Sequence, residues 1–104
     1  SIQISPFEQA LLMRRLVRGE LPFSESSRNL LYKIMLVKKT PGGKLYGKTG
    51  TGSLESGENL GWFVGFVQSS TKRFTFACLV KSHDASGAVA RALTIQILED
   101  SGML

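Results

Sequence analysis

The chain has 104 residues, 42% of them hydrophobic and 20% charged, which is room for one domain with a modest core and excludes a disordered polypeptide. No apolar run approaches the roughly 18 residues of a membrane span, the start SIQISPFEQA lacks a basic-then-apolar leader pattern, and a lone cysteine, Cys78, excludes an internal disulfide or a cysteine-based metal site. The net charge of +5 is concentrated in residues 1–50, where nine Lys and Arg face Glu8, Glu20 and Glu25. Most of these cations fall at solvent-face positions of helical patterns, so a solvated face with weak attraction for small anions is expected and a nucleic-acid surface is not.

Ser5-Pro6 opens the first predicted helix, with Ser5 as N-cap, Pro6 at the first helical position and Glu8 completing a capping-box pattern. Phe7, Leu11, Leu12 and Leu16 follow at helical spacing until Gly19 stops the run. A second helix begins at Ser24 with Leu30, Leu31, Ile34 and Met35 as its apolar stripe, and KKTPGG ends it. The texture then changes. KLYGKT, GWFVGFVQ and RFTFACLVK are aromatic and β-branched runs punctuated by Gly, Ser and Asn, which predicts strands over 44–51, 60–69 and 73–81. SSTK, Ser69 to Lys72, is a hairpin-sized connection between the last two. Cys78 lies in the apolar run FTFACLV and reads as a buried, inert thiol. A last helix spans Ala85 to Ser101, with Val89, Leu93, Ile97 and Leu98 on one face and Gly102 at its end. Helix, helix, three strands, helix predicts a single α+β domain in which helices pack on an antiparallel sheet.

One stretch fits two incompatible motifs. From Gly42, GGKLYGKT is a literal G-x-x-x-x-G-K-[ST] phosphate loop; from Lys48, the same run holds a K-T-G triplet. A phosphate loop joins a buried strand to a helix whose N-terminus holds the phosphates. Here the lead-in VKKTP is polar and broken by proline, and Thr49 is followed by GTGSLESGENLG, whose four glycines would each cost a helix about 1 kcal/mol. The K-T-G reading needs only a strand. On a strand, Lys48 and Gly50 point to one face and Thr49 to the other. The glycines at 47, 50 and 52 would admit the close approach of an amide-bearing substrate laid alongside as an extra strand, with the Lys48 cation beside it.

LYGKTGTG, the following GWFVGFV and FTFACLV, the terminal ALTIQILEDSGML and the leading ISPFEQALLMRRL together resemble the C-terminal portion of a class D (oxacillinase-type) serine β-lactamase. The resemblance covers nearly all of the chain but only about the last two-fifths of such an enzyme. β-Lactam sensor domains of membrane receptors are similar in the same region, and penicillin-binding transpeptidases more distantly so. The resemblance implies penicillin binding and hydrolysis through a covalent acyl-serine, in the periplasm or outside the cell, with no cofactor and no metal. It places Lys48 in the catalytic polar network and Thr49 and Gly50 against the substrate. The Thr51 N–H becomes one oxyanion donor, and Arg91 faces the substrate carboxylate.

The nucleophile is not found. The only S-x-x-K, Ser69 to Lys72, sits in the predicted turn downstream of K-T-G, where serine and lysine are solvated. SHD, Ser82 to Asp84, contains the single histidine, His83, but follows the triplet and reads as polar loop. Trp62, Phe63 and Phe66 read as core or cleft wall. The expected partner is therefore the missing N-terminal half that carries the catalytic serine and its lysine. The alternatives are the ligand-binding part of a sensor or penicillin-binding protein, or an inactive folded fragment.

Overall fold

The computed structural model describes residues 5–104. Its elements are α1 (Pro6–Val17), α2 (Glu25–Met35), β1 (Leu36–Thr40), β2 (Gly43–Ser53), β3 (Asn59–Gln68), β4 (Arg73–Ser82) and α3 (Gly87–Asp100). The strands form one antiparallel sheet in the order β1-β2-β3-β4, so the expected α+β architecture is what the chain adopts. The helix starts follow their sequence signals. Ser5 Oγ accepts from the Glu8 N–H and Ser24 Oγ from the Ser27 N–H, each at 3.1 Å, satisfying one orphan donor of the first turn.

The sheet separates two apolar clusters. On one face, Leu45, Phe63 and Val67 pack with Ala90 and Leu98 of α3. On the other, Phe66 packs with Leu16 of α1 and Met35 of α2, and its ring stacks on Tyr46 at 4.5 Å between centroids. Phe63 and Phe66 are both fully buried, which is worth about 1.5–3 kcal/mol for each side chain. They lie three residues apart on β3 and so anchor opposite faces.

Four expectations need correction. Among the described residues the sheet has four strands: LVKKT, which overlaps the KKTPGG read as ending the second helix, is β1. Its alternation is disguised by a bulge, because Leu36 pairs with Tyr46 and Lys38 with Leu45, leaving Val37 as the extra residue. Of the predicted face of α3, only Leu98 packs inward. Gly87, Ala90, Thr94 and Leu98 are buried, while Val89, Leu93 and Ile97 are exposed. The helix lies too close to the sheet for large residues: a Cβ on Gly87 would come within 2.7 Å of Thr49 Cβ and 2.9 Å of the Gly50 nitrogen. Similarly, Phe7, Leu11, Leu12, Leu30 and Ile34 of the first two stripes are exposed, and only Leu16 and Met35 of these stripes are buried. Cys78 is half-buried, at the edge of the α3-side cluster.

Candidate functional site

Gly42 to Thr49 runs through the β1–β2 turn into β2, with no helix after it, so the phosphate-loop geometry does not exist here. The K-T-G triplet lies in the middle of β2, and the backbone direction at that point is decided by pairing. In an antiparallel ladder the N–H and C=O of one residue point to the same neighbour, and the direction alternates along the strand. The β2–β3 register is unbroken from Lys44↔Gln68 to Ser53↔Asn59, and beyond it the Leu54 N–H donates to Glu58 O at 2.8 Å. Even-numbered residues of β2, Lys48, Gly50 and Gly52 among them, therefore turn their amides toward β3. Thr49 and Thr51 turn theirs the other way. On that side β1 pairs only as far as Tyr46, so among the described residues the amides of Thr49 and Thr51 face an open strand edge.

Side chains converge on the same edge. A cavity of about 380 Å³ is lined by Lys48, Thr49, Phe63 and Arg91, with the α2–β1 junction as its far wall. Lys48 belongs to the α1/α2 face, and Thr49 and Arg91 to the α3 face, so the cavity wraps the open edge. Arg91 is brought there by α3. Gly87 packs against Thr49 and Gly50, and Arg91 lies one helical turn further on the same side. Gly87 N–H donates to Thr51 Oγ1 at 2.9 Å, while Ser86 Oγ accepts from the Val89 N–H at 3.1 Å. The hydroxyl of Thr51 thus fixes the helix that carries Arg91, a link that spans 36 residues and that no local sequence signal announces. Lys48 and Arg91 are exposed, and among the described residues neither has a carboxylate within ion-pair distance. Two unneutralised cations flanking free backbone N–H groups make an anion- and carbonyl-seeking edge.

The triplet's glycine has a second reason to be glycine. A Cβ on Gly50 would fall 2.2 Å from the Trp62 indole; Trp62 is its cross-strand partner and lies across it. Gly47 is likewise filled by the Phe63 ring. These glycines accommodate aromatic rings of β3, and the approach open to a ligand is along the strand edge. Of the five site residues read from the sequence, Lys48, Thr49 and Arg91 line one cavity, Thr51 adjoins it through its edge-facing amide, and Gly50 lies beneath Trp62. The other two motifs fall elsewhere. Ser69 to Lys72 is the β3–β4 turn, in which the Lys72 N–H donates to Ser69 Oγ at 2.9 Å. His83 is exposed in the β4–α3 loop, and its carbonyl accepts from Asn59 Nδ2 at 3.1 Å.

The family model for the penicillin binding protein transpeptidase domain matches residues 1–99. The probable β-lactamase YbxI of Bacillus subtilis is 36% identical over 104 residues, which are all of this chain and 37% of that protein. The C-terminal domain of the Bacillus licheniformis BlaR penicillin-receptor overlays with a TM-score of 0.88 at 30% identity, covering all of this chain and 43% of the other. The class D β-lactamase BAT-2 overlays at 0.81, also at 30% identity, covering all of this chain and 42% of the other. The chain spans about 17 to 38% of the length of the curated relatives it matches. It belongs to the penicillin binding protein transpeptidase domain family, and its fold is that of the C-terminal portion of the class D β-lactamases among its relatives.

Proposed function

We propose that this chain supplies the substrate-binding strand of a β-lactam-hydrolysing, class D-like acyl-serine enzyme. The observation that carries the reading is the open edge of β2, where free backbone amides, Lys48 and Arg91 surround one cavity. A penicillin is an amide-bearing anion. Its side-chain amide pairs along the Thr49–Thr51 edge as a short added strand. Its carboxylate meets Arg91, with the Thr49 hydroxyl as a further donor. The lactam carbonyl then lies against the Thr51 N–H, which stabilises the oxyanion as a nucleophile adds to the carbonyl carbon. Lys48 places a positive charge beside the reacting centre and takes part in proton movement there. The serine that attacks and the lysine that takes its proton lie outside these 104 residues; water then cleaves the acyl-enzyme. The setting is outside the cytoplasm, in the periplasm or secreted.

A second reading is favoured by the higher structural overlap with the BlaR penicillin-receptor: the same edge serves a sensor, which is acylated and not deacylated. Titration of the chain with benzylpenicillin, followed by amide shifts, tests the shared part. Shifts at Lys48 to Thr51 and at Arg91 are expected, and shifts confined to other residues sink the reading. Deacylation rate in the completed protein separates enzyme from sensor.

A further inference from the structure

A second basic site lies on the α1/α2 face, away from the β2 edge. Lys39 and Lys44 are directly opposed across β1 and β2, an arrangement that is destabilising for like charges. Lys33, in the last turn of α2, lines the same cavity of about 470 Å³, together with Asn29, Tyr32 and Tyr46. No Asp or Glu lines it, nor the adjoining hollow at the hairpin turn, which shares Lys44 and Tyr46. Among the described residues none of the three lysines has an ion-pair partner, although Lys38, the neighbour of Lys39, pairs with Glu99 at 2.8 Å. Lys33 has a local reason for its place, since a cation at a helix C-terminus is favourable. Lys39 is an exposed cation on the edge strand β1, where charge discourages edge-to-edge pairing, but its apposition to Lys44 gains nothing from that. The only residue this cavity shares with the Lys48–Arg91 cleft is Leu36.

We propose that the hollow between α2 and the β1–β2 hairpin, lined by Lys33, Lys39 and Lys44, binds a phosphate-bearing anion, independently of the Lys48–Arg91 cleft. Three ammonium groups with no carboxylate match a multiply charged group better than a single carboxylate, and the Asn29 amide and the Tyr32 and Tyr46 hydroxyls supply further donors. Binding relieves the repulsion between Lys39 and Lys44 and weakens as salt rises. The phosphate can belong to a soluble phosphorylated molecule or to a phospholipid headgroup, and the two are told apart by the probe.

The chain is titrated with inorganic pyrophosphate, observed by amide shifts, and separately with vesicles of equal parts phosphatidylcholine and phosphatidylglycerol, observed by co-sedimentation. Shifts centred on residues 33, 39 and 44 with pyrophosphate assign a soluble ligand. Vesicle binding that falls roughly fivefold per lysine removed, so about 25-fold in K39Q/K44Q, assigns a headgroup. That variant folds, because it removes an opposed like-charge pair; its melting temperature stays the same or rises. R14Q/R15Q, which removes the same charge from α1, leaves either binding unchanged. Equal binding by K39Q/K44Q, or an equal loss in R14Q/R15Q, overturns the proposal. Shifts centred on Lys48 and Arg91 also overturn it while leaving the cleft reading intact.

Discussion

Gly50 and Gly52 lie two residues apart on the same face of β2, yet alanine should act on them in opposite directions. At Gly52 the added methyl finds Trp62 at 3.6 Å, an ordinary contact. The unfolded chain meanwhile loses freedom, so Gly52→Ala stabilises by about 0.4–1 kcal/mol. At Gly50 the methyl falls 2.2 Å from two indole carbons and 2.6 Å from the indole nitrogen. The ring must leave its place, and overpacking of this kind costs about 1–3 kcal/mol. At about 4–8 °C per kcal/mol for a domain near this size, Gly50→Ala lowers the melting temperature by about 4–24 °C and Gly52→Ala raises it by a few degrees. The displacement has its own reporter, because Trp62 is the single tryptophan. Gly50→Ala shifts its emission to the red as the indole meets more water, and Gly52→Ala does not. If the two variants melt together and emit alike, Trp62 does not cover Gly50 and the explanation for this glycine is wrong. The pair also matters for interpreting the triplet, since any loss of ligand binding in Gly50→Ala arrives through the tryptophan and is not evidence of a contact at residue 50.

Thr51→Val keeps the shape but leaves the part-buried Gly87 N–H without its acceptor. A loss of about 1–3 kcal/mol in denaturant unfolding, with faster amide exchange at Gly87, is expected; unchanged exchange would show the bond to be dispensable. Arg91→Ala leaves the melting temperature unchanged, because Arg91 is exposed and unpaired among the described residues. In the completed protein it raises KM for penicillins by roughly 10- to 150-fold, the worth of one charge-assisted hydrogen bond. Lys48→Ala, by contrast, lowers kcat as well, because the lysine acts on proton movement; steady-state kinetics on the two separate these roles. The chain alone forms no covalent adduct with a penicillin in intact-mass measurements, and an adduct on any serine, Ser69 included, contradicts the assignment of the nucleophile to another segment.

What the sequence disclosed was what short-range chemistry determines. Ser5 and Ser24 mark helix starts because a hydroxyl can reach only the first-turn N–H groups. The Ser69–Lys72 connection was legible because two alternating runs flank it, and K-T-G because its flanks could form a strand and could not form a helix. The face of α3 was not legible. Val89, Leu93 and Ile97 make the stronger apolar stripe, but the packed side was chosen by how closely Gly87, Ala90 and Thr94 can approach the sheet. β1 escaped notice for a related reason: the bulge at Val37 breaks the two-residue period by which a strand is recognised. At the site, the residue types were readable, but the open amides of Thr49 and Thr51 depend on where β1 stops, and the tie between Thr51 and Gly87 spans 36 residues.

The place where β1 stops works like a slider on the length of the binding slot. The chain leaves α2 at Met35 and enters β1 at Leu36, which meets Tyr46, and every pair added at that end would cover the next stretch of β2. Thr49 would be occupied first, then Thr51. Unwinding three residues of α2 into strand would therefore bring Lys33 opposite Thr49, and five would bring Leu31 opposite Thr51 and shut the slot with every site residue unchanged, while one more turn of helix would lengthen it. Insertions and deletions at the α2–β1 junction are thus a route by which descendants of this fold could gain or lose room for a ligand while every residue of the site stays the same.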